Sequence, residues 1–461
     1  MKGLRTVRKV AVVGGGGVRV PLLLHGLLTR SAALGLAEIA LVDVVGERAA
    51  LMASLGEAMG AELGTATRIR VAPDPDDAFE GVDFVFSAVR VGGAEGRILD
   101  ERIALGHGLI GQETTGIGGM AMALRTIPVA LDLAERMVRR SPRAWFLNFT
   151  NPSGLIVEAL HQAGHEHVVG LCDAPSGLKG DLCRYLGVAE AAVSIAYQGL
   201  NHLGWIQSLR VDGVETLPAL IEGAADLCQG VRTLGFFGPD LIRGLGLLPN
   251  EYLYYYYRRD AALSRELSLG ETRGEAVLAW NRRIYEDVSR ALASGDAHEA
   301  LDRYRSILAQ RRNSYMAEVT GSTHDRGITA DTIFTEEGYE GLALRVMTAL
   351  SGHGAQELHL NVPTRGTSDI LLADEVGELT CDVDEHGAHP RTTIPLPFGP
   401  RGLVRAVKDY ERLTVYSALH GDREAALQAA MAHPLIGDRG VAAACLDDLL
   451  AAHREHLPQF A

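Results

Sequence analysis

The sequence predicts an α/β protein. A Rossmann-like doubly wound parallel sheet covers residues 1–200, and a helix-rich α+β half follows over 201–461. Three observations carry this reading. Short apolar runs alternate with longer stretches of helical spacing through the first 200 residues, and strand–helix alternation marks a parallel sheet. The runs are continuously apolar rather than alternating, as strands covered on both faces require. Four consecutive glycines, Gly14, Gly15, Gly16 and Gly17, separate the first run from the first helical stretch.

The elements follow in order. Residues 10–13 read as a strand, and 21–29 (PLLLHGLLT) as a helix. Residues 39–42 form a second strand that ends at Asp43, and 49–63 have helical spacing. Strands are predicted at 69–72, 84–89, 144–147 and 168–171, with a helix at 120–138 between them. Beyond residue 200 long helices dominate, at 274–293 and 297–316. A Gly- and Pro-rich region, 361–400, interrupts them and holds a β-like piece at 380–383. Residues 402–419 and 425–431 are helical again.

The 461 residues are 47% hydrophobic, ample for a large core without a disulfide or metal staple. The net charge of −14 argues against sequence-independent nucleic-acid binding, which rests on neutralising phosphates. No run approaches the roughly 18 consecutive apolar residues of a membrane span. The basic start (MKGLRTVRK) leads into a short apolar run ending in glycines, unlike a signal-peptide core. Five cysteines, at 172, 183, 228, 381 and 445, are an odd set that suggests no disulfide framework. The expectation is a cytoplasmic protein in a reducing compartment. Glycine is in excess, 53 of 461 residues or about 11%, against roughly 7% in ordinary chains.

The glycine loop lies between a strand and a helix, where backbone can approach a pyrophosphate and free N–H groups face it. Gly14-x-Gly16 is present, but Arg19 holds the third glycine position of the dinucleotide fingerprint. An ordinary glycine turn gives the same local pattern. Asp43 stands where a carboxylate can accept from an adenine ribose and repel a 2′-phosphate, which favours NAD over NADP.

Three stretches are rich in polar groups: GQETTGIGG at 111–119, NFTNPSG at 148–154 with GLCDAP at 170–175, and GLNHLGW at 199–205. The second follows predicted strands, whose C-terminal ends gather ligands. Cys172 and His202 form a sulfur/nitrogen donor pair; two protein ligands would leave open positions, as a catalytic metal needs. By itself the pair also reads as a buried thiol and a hydrogen-bonded histidine. Tyr252 opens a dense tyrosine run, LPNEYLYYYY, in which most rings pack. A nearby cation would let one act as a base.

Taken together, these motifs resemble glycoside hydrolase family 4, the NAD- and divalent-metal-dependent phospho-glycosidases. The match includes GGGG, RVGGAEGRILDE, GQETTGIGG with ALRTIPV, NFTNPSG, GLCDAP, GLNHLGW, LPNEYL, KDYERLTV and HPLIGD, in order from about residue 9 to 457. QETTG is similar to the 6-phospho-β-glucosidase branch. The resemblance implies a redox-assisted elimination: NAD⁺ takes hydride at sugar carbon 3, and a Mn²⁺-type metal stabilises an enediolate. The C2 proton leaves to a tyrosine, the aglycone departs, water adds and NADH restores the alcohol. It further implies Cys172 and His202 as metal ligands, Tyr252 as base and Asp173 as proton donor. Arg97, Asn151 and Arg273 match substrate-binding positions; read locally, Arg97 also suits a surface ion pair and Asn151 a helix cap. A small-molecule glycoside substrate and a homodimer or homotetramer are implied, with no nucleic-acid or membrane partner. The alternatives are the same redox-elimination chemistry on an unphosphorylated or α-linked glycoside and, at the level of fold, a lactate/malate-type dehydrogenase. Where the family carries a hydroxyl pair after the glycine loop, this chain has Gly17-Val18-Arg19, so Arg19 joins the substrate-binding set. The loop at 361–366, Asn-Val-Pro-Thr-Arg-Gly, also departs from the family pattern.

Overall fold

Six parallel strands open the chain in the computed structural model, which describes residues 6–314, 328–334 and 338–461. They are β1 (Lys9–Val13), β2 (Glu38–Val42), β3 (Arg68–Val71), β4 (Phe84–Ser87), β5 (Trp145–Asn148) and β6 (Val168–Leu171). Their spatial order is β3-β2-β1-β4-β5-β6, the dinucleotide-binding arrangement, with the order of strand addition reversing between β1 and β4. Helices α1 (Val20–Thr29), α2 (Gly46–Leu63), α3 (Gly93–Gly106), α4 (Gly116–Arg140), α5 (Ser153–Gln162) and α6 (Ala174–Leu186) cover both faces. The strands are continuously apolar for that reason. In β1, Ala11 and Val13 pack into the cluster that holds Ile117 and Leu124 of α4. Val10 and Val12 pack on the opposite side, with Leu24 and Leu27 of α1. By length and composition α4 could cross a membrane, but 78% of its apolar stretch is buried inside the protein, so it is a core helix.

The second half extends the same sheet. Its strands are β7 (Val193–Leu200), β8 (Leu203–Val211), β9 (Val214–Glu215), β10 (Leu248–Pro249), β11 (Gln356–Pro363), β12 (Val376–Asp384) and β13 (Gly387–Pro390). β11 lies antiparallel against β6, with Leu360 opposite Leu171 and Asn361 opposite Gly170. β12 then bridges β11 to β7, giving one 13-stranded sheet. The sheet runs unbroken through residue 200, where sequence pattern changes. The β7–β8 hairpin was not anticipated. Its alternation (Val193, Ile195 and Tyr197 inward) is short, and it runs directly into the polar turn at 199–205.

Among the helices of this half are α7 (Arg273–Ala293), α8 (Ala297–Asn313), α9 (Tyr339–Leu350), α10 (Phe398–His420), α11 (Arg423–Ala432) and α12 (Arg439–Ala452). α7, α8, α10 and α11 correspond to expected helices, whereas α9 and α12 have no counterpart among those expected from the sequence; Tyr315 and Met316, expected at the end of α8, lie outside the described residues. Thr272 and Glu275 form a capping box that starts α7. Lys408 of α10 is fully buried and pairs with Glu158 of α5 at 2.6 Å and Glu411 at 2.5 Å. All five cysteines are free.

Candidate active site

A cleft of about 2210 Å³ opens at the C-terminal edge of the parallel strands. A drug-sized pocket holds roughly 300–1,000 Å³, so there is room for more than one ligand. One end is the glycine loop. Gly14 has φ +78°, and a Cβ there would lie 2.5 Å from the Ala88 carbonyl oxygen. Backbone therefore reaches the cleft floor only because side chains are missing. Asp43 closes β2 and accepts from the Gly16 N–H at 2.9 Å and the Val45 N–H at 2.9 Å. Its carboxylate braces the loop while still lining the cleft. Tyr285 donates to the Gly16 carbonyl and Tyr304 to the Val18 carbonyl, each at 2.9 Å.

The segment before α4 folds back over the first turn of that helix. A Cβ at Gly118 would sit 2.3 Å from the Gln112 carbonyl oxygen, and one at Gly119 2.6 Å from the Thr114 carbonyl oxygen. Gln112 Oε1 accepts from the N–H groups of Thr114 (2.6 Å) and Thr115 (2.8 Å) and from the Thr114 hydroxyl (2.9 Å). That last bond uses the only hydroxyl proton of Thr114. The contact of 2.8 Å between Thr114 Oγ1 and His202 Nδ1 must then be donated by the imidazole. His202 Nε2 is left with a bare lone pair, and it is buried without a partner. His202 occupies the β7–β8 turn at φ +63°, a strained conformation for a non-glycine residue. Burial pushes its pKa down to about 3, against the pull of Glu113, so the ring is neutral, as a metal ligand must be.

Tyr252 stacks on that ring, with centroids 3.6 Å apart and planes 6° from parallel. Asn250 sets the turn by accepting from the Tyr252 N–H at 3.1 Å, and donates through Nδ2 to Tyr197 Oη at 2.8 Å. Tyr197 Oη in turn donates to Glu378 of β12 at 3.1 Å. Asn201 (3.3 Å) and Asn361 (3.2 Å) donate to the same carboxylate, and the Cys172 thiol lies close to it. Glu378 thus ties Cys172, after β6, to the turn that carries His202. Burial pushes Glu378 up to about 7, and burial with Glu378 and Asp173 nearby raises the Cys172 thiol well above its ordinary value. A bound cation would reverse that preference. Among the described residues no three His, Cys, Asp or Glu side chains converge.

The middle of the cleft is basic. Arg97 of α3 pairs with Glu101 at 2.7 Å and Glu113 at 3.0 Å, and Arg90 reaches Glu113 at 2.5 Å. Burial opposes the charge on Glu113, but the two arginines outweigh it and hold the carboxyl down to about 2. Glu101 also accepts from the Gly274 N–H at 2.6 Å, which brings the start of α7, and Arg273, to α3. Arg273 donates to Ser314 Oγ at 3.1 Å. Arg19 faces Glu340 at 3.5 Å. Asn151 follows β5 and lines the cleft; α5 begins at Ser153 with no side-chain cap, so Asn151 does not serve as one. Asp173 lines the cleft just before α6 and makes no capping bond.

Gly14, Gly16, Gly17, Asp43, Arg19, Arg97, Asn151, Asp173, Tyr252 and Arg273 therefore share one cleft. Gly15 packs away from it, where a Cβ would lie 2.9 Å from that of Leu41. Cys172 and His202 are buried behind its wall, 1% and 3% exposed. Sequence reasoning assigned no role to Thr114, Glu378 or Arg311. Glu378 had a signal, an acidic residue inside a strand-like run (VGELTCDV) where burial on both faces was to be expected.

The strand order and the glycine cleft define a dinucleotide-binding α/β protein. Residues 9–188 match the model for family 4 glycosyl hydrolases, and residues 197–436 match that for the family 4 glycosyl hydrolase C-terminal domain. The chain belongs to glycosyl hydrolase family 4. It is 31% identical over 469 residues to a 6-phospho-beta-glucosidase of Escherichia coli (strain K12), covering 98% of this chain and 97% of that one. It is 30% identical over 459 residues to a probable 6-phospho-beta-glucosidase of Bacillus subtilis (strain 168), covering 98% of each. Among solved structures, the 6-phospho-beta glucosidase from Thermotoga maritima with manganese, NAD⁺ and glucose-6-phosphate superimposes with a TM-score of 0.81. The identity there is 26%, over 97% of this chain and 99% of that one.

Proposed function

We propose that this protein hydrolyses 6-phospho-β-glucosides, with NAD and a divalent metal such as Mn²⁺ as resident cofactors. The residues fit both groups. The glycine loop leaves a cradle that a Cβ at Gly14 would obstruct, and Asp43 closes it on the ribose side. His202 offers a buried, unpartnered Nε2, and Cys172 a thiol that ionises on metal binding. When bound, NAD supplies a reversible hydride acceptor and the metal draws charge from the adjacent sugar oxygens.

The chain's own residues do the rest. Tyr252, held flat on His202, takes the proton from sugar carbon 2. Asp173, on the cleft wall before α6, passes a proton to the departing aglycone oxygen. Arg97 and Arg273 present forked donors to the 6-phosphate, and Asn151 orients a sugar hydroxyl. The reducing compartment expected from the cysteine set keeps Cys172 available as a ligand.

The stack of Tyr252 on a histidine with an open nitrogen carries this reading, because packing alone does not require an unpartnered Nε2. The test is release of p-nitrophenol from the 6-phosphorylated and plain β-glucosides, with NAD⁺ and Mn²⁺ present and with each omitted. Activity on the phosphorylated substrate that needs both is expected. Turnover without either rejects the mechanism.

A further inference from the structure

Arg311 lies in the last turn of α8 and faces the same cleft as Arg19, Arg97 and Arg273. Its place is set by the glycine loop. Tyr304 docks α8 under that loop by donating to the Val18 carbonyl, and Arg311 comes seven residues later, two turns along the same helix face. The surrounding arginines have partners. Arg97 has Glu101 and Glu113. Arg19 and Arg312 share the buried Glu340, at 3.5 and 3.6 Å. Arg273 has Ser314. Arg311 forms no hydrogen bond or ion pair through its guanidinium among the described residues, and its Nε is buried. Burial, with Arg19, Arg273 and Arg97 close by, pulls its pKa down to about 9.

Arg311 is half-buried, its Nε enclosed and its charged end open to the cleft, and no packing role demands an unpaired guanidinium beside others of the same sign. It fits a site completed by a ligand that is negative. The loop that ends in Val18 and Arg19 offers no side-chain hydroxyl, so donors for an anion there must come from elsewhere. Arg311 stands beside Arg19, Arg97 and Arg273 on the same stretch of cleft, a clustering of guanidinium groups that suits a dianion better than a hydroxyl or a single carboxylate.

We propose that Arg311 is a specificity-determining residue which, with Arg19, completes the subsite for a doubly charged phosphate ester on the sugar. This rests on the phospho-glycosidase reading above. Glucose 6-phosphate, glucose and glucuronate are titrated calorimetrically into the full chain with NAD⁺ and Mn²⁺, for the parent protein, Arg311→Met and Arg311→Lys. Charge-assisted hydrogen bonds set the expected scale, so Arg311→Met should weaken glucose 6-phosphate about 10-fold or more and leave glucose unchanged. Arg311→Lys keeps the charge, loses the fork and should fall between. Ligand-free Arg311→Met should keep the parent melting temperature, since the side chain gives up no bond among the described residues. Parent-like binding of glucose 6-phosphate by Arg311→Met overturns the role of Arg311 and leaves the phospho-glycosidase reading standing. A parent protein that fails to prefer glucose 6-phosphate over glucose and glucuronate overturns both.

Discussion

Tyr252 and His202 show how one pair of side chains separates packing from chemistry. The ring stack survives in Tyr252→Phe, and only the hydroxyl is lost. Loss of a general base costs about 10²–10⁴-fold in rate. Steady-state kinetics should therefore show kcat falling on that scale, while titrated Mn²⁺ affinity and the melting temperature stay put; full turnover would remove Tyr252 as the base. Other histidines report on stability. Burial pushes His161 down to about 4, and His359 and His433 down to about 3. His433 Nδ1 accepts from the Leu435 N–H at 3.1 Å, so a proton there would break a native bond. In each case the unfolded chain binds the proton more readily, from about pH 6.5 downward. Stability is complete above that pH and falls as the solution is acidified towards the folded values. By pH 5 each such group costs about 2 kcal/mol. Urea midpoints at pH 7 and pH 5 should differ accordingly, and equal midpoints would show that these rings are not buried neutral.

Among the elements, the turn after β1 is governed by steric contact. Gly14→Ala adds a left-handed backbone penalty and a Cβ 2.5 Å from a carbonyl oxygen of the β4 edge. A loss of about 2 kcal/mol or more is expected, with weaker NAD binding, read by chemical denaturation and dinucleotide titration. The glycines at 118 and 119 act differently. They let the polar segment lie on α4, so Thr114 orients His202 and Glu113 meets Arg97. The GQETTGIGG stretch was visible in the sequence, but which of its polar groups would face inward was not. That choice depends on the β7–β8 hairpin, which lies some 80 residues further along the chain.

At the scale of the whole molecule, the second half is grafted onto the first as more of the same sheet. β11 lies beside β6 and β12 beside β11, and the buried Lys408 of α10 binds Glu411 and, on α5, Glu158, whose carboxylate also accepts from the Val376 N–H at the start of β12. Lys408→Met strands two buried carboxylates, and breaking a buried pair costs about 3–5 kcal/mol. The expected result is a large drop in the urea midpoint; a change within error would show that the triad is not needed to hold α10.

The doubly wound core, the glycine loop and the family motifs are determined by the sequence alone. Their signals are local: continuous apolar runs, helical spacing and short strings of residues at fixed positions. Tertiary structure alone decided which of these groups meet. Glu378 reaches Cys172 and Asn201 because β12 pairs with both β11 and β7. Arg311 reaches Arg19 because Tyr304 docks α8 against a loop 286 residues earlier in the chain. Such meetings come from burying one element against another, and no local spacing encodes them.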